Sequence, residues 1–163
     1  ETNANAISNN ANLRHQIRQA LCHGLPAYAE CGGLMYLSES IFWKGEIYEM
    51  VGVIPGNTVM NENPIGRGYV SLSEMECCPW PNKPSSEKNI PGHEFHYAKI
   101  LNLPPNLKFA FTVKRGIGVN GKKDGIIIKN LIASFSHLFS TPEHDWADRF
   151  VQFVHEHKIN QKI

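Results

Sequence analysis

No apolar run in this 163-residue chain approaches the ~20 residues needed to span a bilayer. The opening ETNANAISNN also lacks the basic-then-apolar layout of a secretory signal, so the chain is expected to be cytoplasmic. Charge of one sign is missing too. Sixteen Lys plus Arg oppose fifteen Asp plus Glu, a formal +1, which leaves no sequence-wide basic field to draw nucleic acid or an anionic membrane. Cysteine is scarce: Cys22, Cys31, Cys77 and Cys78 form neither a C-x-x-C pair nor a disulfide framework, and a reducing compartment fits. His93 and His96 with Cys77 and Cys78 come nearest to a metal-ligand set. Adjacent cysteines rarely face one ion, however, and the spacing matches no zinc-finger pattern, so no metal is expected. Internal repeats and low-complexity tracts are absent.

What is present is 42% hydrophobic residues spread along the whole chain, enough for the core of one domain over residues 1–163 and against extensive disorder. Leu13, Ile17, Ala20 and Leu21 recur at helical spacing between a capping Asn10 and a stopping Gly24, which predicts an amphipathic helix over 11–21. The short apolar run 25–29 reads as a buried strand, and a second helical pattern covers 34–41, so Cys31 stands where a strand turns sharply into a helix. Cys22 is expected in helix packing. Runs 48–54, 69–75, 94–101, 109–113, 125–128 and 132–139 have strand composition, and the proline-rich 79–91 reads as a surface loop beside a structural Cys77-Cys78 pair. A closing helix over 142–158, capped by Thr141, presents Trp146, Phe150, Phe153 and Val154 to the sheet, with His155 and His157 at a solvated end. This order predicts a three-layer α/β domain whose ligand binds beyond the carboxyl ends of the strands.

Cys31 is the candidate nucleophile. At a helix N-terminus the macrodipole and free N–H groups are expected to favour the thiolate, while Gly32 and Gly33 let the turn close and a substrate carbonyl approach, the Gly32 N–H pointing at an oxyanion. The competing reading is a small buried hydrophobe, the ordinary fate of a free cysteine. A cysteine nucleophile needs a base, and His137, at the end of an apolar strand, can face the same edge. In Gly92-His93-Glu94-Phe95-His96-Tyr97, period-two alternation places Glu94 and His96 on one face and His93, Phe95 and Tyr97 on the other, one face functional and one packed.

The segment Pro26-Ala27-Tyr28-Ala29-Glu30-Cys31-Gly32-Gly33-Leu34-Met35-Tyr36-Leu37 resembles the nucleophile motif of cobyrinic or hydrogenobyrinic acid a,c-diamide synthases, the corrin-pathway branch of the class I glutamine amidotransferases. The 92–97 segment and Ala133-Ser134-Phe135-Ser136-His137-Leu138 resemble two further motifs of that family, in the same order. The resemblance implies a three-layer, flavodoxin-like amidotransferase sheet flanked by helices and lacking its first strands, the C-terminal fragment of a two-domain enzyme. The N-terminal domain would use ATP and Mg to activate the a and c side-chain carboxylates of a tetrapyrrole. The C-terminal domain would hydrolyse glutamine to supply the ammonia. No G-x-x-x-x-G-K-[ST] loop occurs here, so the ATP-using half is expected elsewhere in the polypeptide. Glu1 resembles the last residue of a glycine-rich turn that supplies a second oxyanion donor.

The site then implied comprises Cys31, His137 and Glu94 as catalytic residues, Gly32 as oxyanion donor, and Glu30, Gly33 and His96 in substrate binding. Many class I members carry H-x-E at the base, whereas Phe139 stands two residues after His137, which leaves Glu94 as the candidate third member. The alternatives are an inactive regulatory or scaffold domain, or another cysteine hydrolase of related fold; a homodimer is left open.

Overall fold

The computed structural model describes residues 1–82 and 89–160 of the chain. Helices α1 (Ala4–Asn9) and α2 (Ala11–Cys22) meet at Asn10, whose side chain accepts from the Leu13 N–H at 3.2 Å and so caps the second. α2 stops at Gly24, whose φ of +90° glycine alone adopts without strain. Strand β1 (Ala27–Glu30) and helix α3 (Gly32–Leu37) follow. The helix expected through Ile41 ends at Leu37 instead. Ser38 is extended, its hydroxyl donates back to the Met35 carbonyl at 2.7 Å, and Ile41 belongs to β2 (Ser40–Trp43).

The remaining strands are β3 (Glu46–Glu49), β4 (Asn57–Met60), β5 (Gly66–Glu74), β6 (Ile90–His96), β7 (Ala98–Leu101), β8 (Lys108–Arg115), β9 (Lys123–Ile128), β10 (Leu131–Ser134) and β11 (His137–Leu138). Only the start of the 48–54 run lies in a strand, and the 94–101 run divides at Tyr97. A seven-stranded sheet of order β1-β10-β9-β8-β5-β6-β11 shares the molecule with a four-stranded sheet of order β3-β2-β4-β7. Among the described residues only the β1–β10 and β2–β4 pairs are parallel. Successive residues of β10 divide between two cores. Leu131 and Ala133 enter one with Leu21, Leu34, Ile41 and Ile100; Ile132 enters the other with Val70, Phe111 and Phe153.

The expected single strand over 132–139 breaks in two, and the break shapes the site. Asp124, fully buried, accepts from the Gly125 N–H at 2.9 Å, the Phe135 N–H at 3.0 Å and the Ser136 N–H at 2.9 Å. Those amides are therefore unavailable to a strand ladder, and the chain leaves β10 to pair with β6 as β11. β10 is second in the sheet and β11 last, yet Phe135 and Ser136 alone separate them, roughly 10 Å of chain. The sheet must roll until its two ends nearly meet. Burial pushes the Asp124 carboxyl pKa up despite those donors. Asp124→Ala would strand three buried N–H groups and is expected to lower stability by about 3 kcal/mol or more in denaturant unfolding; a loss under 1 kcal/mol would mean that the break has another cause.

The closing helix α4 (Trp146–Asn160) begins four residues later than expected. Thr141 forms a short turn with His144, and Asp145 supplies the cap, accepting from the Asp148 N–H at 3.3 Å. Phe153 is buried and Val154 exposed; Arg149 holds Glu74 of β5 with bonds of 2.7 and 2.9 Å and donates to the Pro81 and Trp80 carbonyls. The expected 79–91 loop is accordingly shorter: Trp80 is buried and Ile90 and Pro91 belong to β6, while 83–88 lies outside the described residues. Among the described residues no helix is long and apolar enough to cross a membrane.

Candidate active site

Cys31 stands at the carboxyl end of β1 with φ +46° and ψ −101°, a conformation that costs an L-residue of the order of 1–3 kcal/mol and points to an over-determined position. Its N–H donates to the Ser134 carbonyl at 2.7 Å and its own carbonyl accepts from Met35, so the elbow is tied to β10 behind and α3 ahead. A Cβ on Gly33 would sit 3.2 Å from that of Ala29, which favours glycine there, whereas a Cβ on Gly32 would meet nothing within 4 Å, and packing within the domain does not explain that glycine. The thiol is half-buried and contacts the Phe95 carbonyl at 3.9 Å. Burial pushes its pKa up, outweighing the Gly32 N–H that favours the thiolate; Glu1 and Glu30 add to the rise. The expectation of a preformed thiolate is corrected accordingly. α3 has only six residues, and its short dipole does not offset desolvation.

His137 enters from the opposite end of the rolled sheet. It pairs with His93 across β11 and β6, and the two imidazoles stack at 4.7 Å and 11°. Its Nδ1 lies 3.1 Å from Glu30 Oε2, which leaves Nε2 clear of that carboxylate. The other Glu30 oxygen accepts from the Leu138 N–H at 3.0 Å and the Tyr28 hydroxyl at 2.6 Å. Tyr28 is packed among Trp80, Trp146 and Phe150, where burial pushes its hydroxyl pKa far up and keeps it a donor. Among the described residues no hydrogen bond joins Cys31 to His137; such bonds commonly tighten only when substrate binds.

Glu94 and His96 are not part of this convergence. Glu94 is 2% exposed, its oxygens accepting from the Ile117 N–H at 2.7 Å and the Gly118 N–H at 2.9 Å. Burial alone would raise its pKa, but His96 and those amides prevail and hold it below the usual carboxylate range. His96, 3% exposed, is bonded to the Ala98 carbonyl at 2.7 Å and stacked on Phe135. The two residues share a face, as alternation required, but it is the packed one. His93 and Phe95 on the other face border a cleft of about 510 Å³ with Arg67, Tyr69 and Phe139.

Sequence reasoning overlooked Tyr28, and it left open whether the face of His93 or that of Glu94 was the functional one. Cys22 is exposed rather than packed; the Cys77 thiol donates to the Phe109 carbonyl at 3.0 Å, and burial pushes the Cys78 thiol up to about 12. Among the described residues no three His, Cys, Asp or Glu side chains converge as for a metal.

The family described as "CobB/CobQ-like glutamine amidotransferase domain" matches residues 1–144. A cobyrinate a,c-diamide synthase of Magnetococcus marinus is 39% identical over 133 residues, 82% of this chain and 28% of its own length. Its counterpart in Archaeoglobus fulgidus is 37% identical over 152 residues, 93% of this chain and 32% of its own. The chain thus spans about three-tenths of the length of these relatives. Among solved structures, PurLQS from Thermotoga maritima superposes with a TM-score of 0.63 over 95% of this chain and 71% of that one, at 14% identity. A glutamine amidotransferase gives 0.61 over 91% and 71%, also at 14%; both share the fold.

Proposed function

Because the chain belongs to the CobB/CobQ-like glutamine amidotransferase family, we propose that it hydrolyses the side-chain amide of glutamine, with Cys31 as nucleophile and His137 as base. The observation that carries this reading is the seam of the rolled sheet, where Glu30, the residue immediately before the strained Cys31 elbow, binds the Nδ1 of the His137 imidazole on β11. His137 Nε2 takes the Cys31 proton as sulfur bonds to the amide carbon, and the Gly32 N–H holds the oxyanion. The carbon–nitrogen bond breaks as Nε2 returns that proton to the departing ammonia. Nε2 then takes a proton from water, whose oxygen attacks the thioester; the carbon–sulfur bond breaks, glutamate leaves, and Nε2 returns the proton to the Cys31 sulfur. A thiol whose pKa burial raises needs such a base.

The ammonia would serve ATP-dependent amidation of the a and c carboxylates of a corrinoid precursor, a reading supported by the names and 37–39% identity of the relatives above. No phosphate loop occurs in this chain, so ATP and Mg would be held outside these 163 residues by a synthetase domain that also binds the tetrapyrrole; no step of the glutamine hydrolysis runs through them. The test supplies the full-length protein with ATP, tetrapyrrole and glutamine labelled with ¹⁵N at its side-chain amide, following both ammonia release and label in the product. Labelled diamide is expected. Absence of glutamine hydrolysis in folded protein would favour a scaffold role, and hydrolysis of peptides in preference to glutamine would favour another cysteine hydrolase.

A further inference from the structure

We infer that Glu30, the residue immediately before the nucleophile, is the positioning carboxylate that takes the place of the missing H-x-E glutamate, and that Tyr28 fixes Glu30 in turn. The inference rests on the proposed role of His137 as base and assigns what holds that base. Phe139 occupies the position where the glutamate would stand, and its ring packs on His93 and Tyr69. Glu94 is committed to the Ile117 and Gly118 amides, and Asp124 to the three amides at the strand break. Among the described residues, Glu30 is the carboxylate in contact with the His137 ring.

The geometry suits orientation rather than substrate binding. Glu30 Oε2 lies 3.1 Å from His137 Nδ1, while Oε1 is occupied by the Tyr28 hydroxyl at 2.6 Å and the Leu138 N–H at 3.0 Å. Three donors from two elements leave the carboxylate no free rotation, and an acidic acceptor at Nδ1 selects the tautomer protonated there. The Nε2 lone pair then faces away from Glu30, free to take a thiol proton. When it does, the imidazolium forms beside a carboxylate that keeps its charge and gains no proton.

Consecutive strand residues point to opposite faces, so Glu30 and Cys31 could not both serve one site from a regular strand. The left-handed φ of Cys31 breaks that alternation: Glu30 reaches β11 while the Cys31 thiol reaches Phe95 of β6, the strand paired with β11. Tyr28, two residues earlier and on the same face as Glu30, links this pair to the aromatic cluster under α4.

The experiment compares Glu30→Gln, Tyr28→Phe and His137→Ala in the full-length protein, with ¹⁵N-histidine NMR of the wild type. Glu30→Gln is expected to cut glutamine-dependent kcat about 100-fold, less than the ~10⁴ seen for the corresponding serine-protease change because a thiol needs less help than a hydroxyl. The KM for glutamine should stay within about twofold, since an orienting group acts on the chemical step. Tyr28→Phe should lose about 3- to 10-fold, the worth of one hydrogen bond. In wild type the His137 signal should report a proton on Nδ1, and in Glu30→Gln that preference should disappear. Full turnover in Glu30→Gln beside a dead His137→Ala would overturn the inference while leaving the proposed base intact. A rise in KM at unchanged kcat would overturn it in favour of substrate binding. Turnover retained in His137→Ala would instead overturn the assignment of the base itself. A wild-type signal protonated on Nε2 would overturn the inference without recourse to any variant.

Discussion

Cys31→Ala is expected to reduce glutamine-dependent ammonia release on the order of 10⁴-fold or more, because the covalent route is then closed and only binding and oxyanion stabilisation remain. The same assignment predicts an inversion of thiol reactivity between two reagents. A small, unselective alkylating agent should reach exposed Cys22 and Cys77 before Cys31, which is half-buried and whose pKa burial raises. A glutamine-mimicking diazo-ketone should do the reverse, since it is held at the elbow beside His137 and the Gly32 N–H. Peptide mass mapping after each reagent decides the matter; diazo-ketone label spread over the four cysteines, or missing from Cys31, would rule out the nucleophile. Cys31→Gly should be as inactive as the alanine variant yet at least as stable as wild type, because glycine adopts φ +46° without the Cβ penalty. Sulfur at this position is thus predicted to be retained against the preference of the backbone.

His137→Ala is expected to lower glutamine-dependent turnover on the order of 10³-fold or more while amidation driven by added free ammonia persists, since in the proposed mechanism the imidazole acts only on glutamine. Parallel steady-state assays with glutamine and with ammonium salt make the comparison. Equal loss with both nitrogen sources would indicate a folding defect, and undiminished glutamine turnover would shift attention to His93, the imidazole stacked on His137. His96 is excluded from that role by its burial against Phe135 and its bond to the Ala98 carbonyl.

The parts of this arrangement that were legible in the sequence are the ones set by neighbours in the chain. Apolar spacing and the Asn10 and Gly24 signals define α2, and the change of period around Glu30-Cys31-Gly32-Gly33 locates the elbow. What remained hidden depends on distant partners. Nothing near Phe135 and Ser136 announces that the strand breaks there, because the acceptor that takes their amides is Asp124 on β9. Alternation separates Glu94 and His96 from His93 and Phe95, but which face lies inward is decided by the Ile117 and Gly118 amides on another segment. The start of α4 moved because Asp145 is a serviceable cap four residues after Thr141, and a cap competes with every other candidate in its vicinity.

The strand that carries His137, the proposed base, meets β6 through two paired residues, His137 with His93 and Leu138 with Gly92, followed by one bond from the Phe139 N–H to the Pro91 carbonyl at 3.0 Å. A slip of that pairing by one residue would exchange the faces of His137 and Leu138, turning the imidazole inward and an apolar side chain toward Glu30. So short a ladder is too little to forbid such a slip by itself. The register is pinned from both sides instead, by Asp124 on the amides just before the strand and by Glu30 on the Leu138 amide within it. Placement of the proposed base is therefore a matter of strand alignment, and a change that loosens either pin is expected to move the His137 imidazole away from Glu30 with every side chain of the candidate site still present.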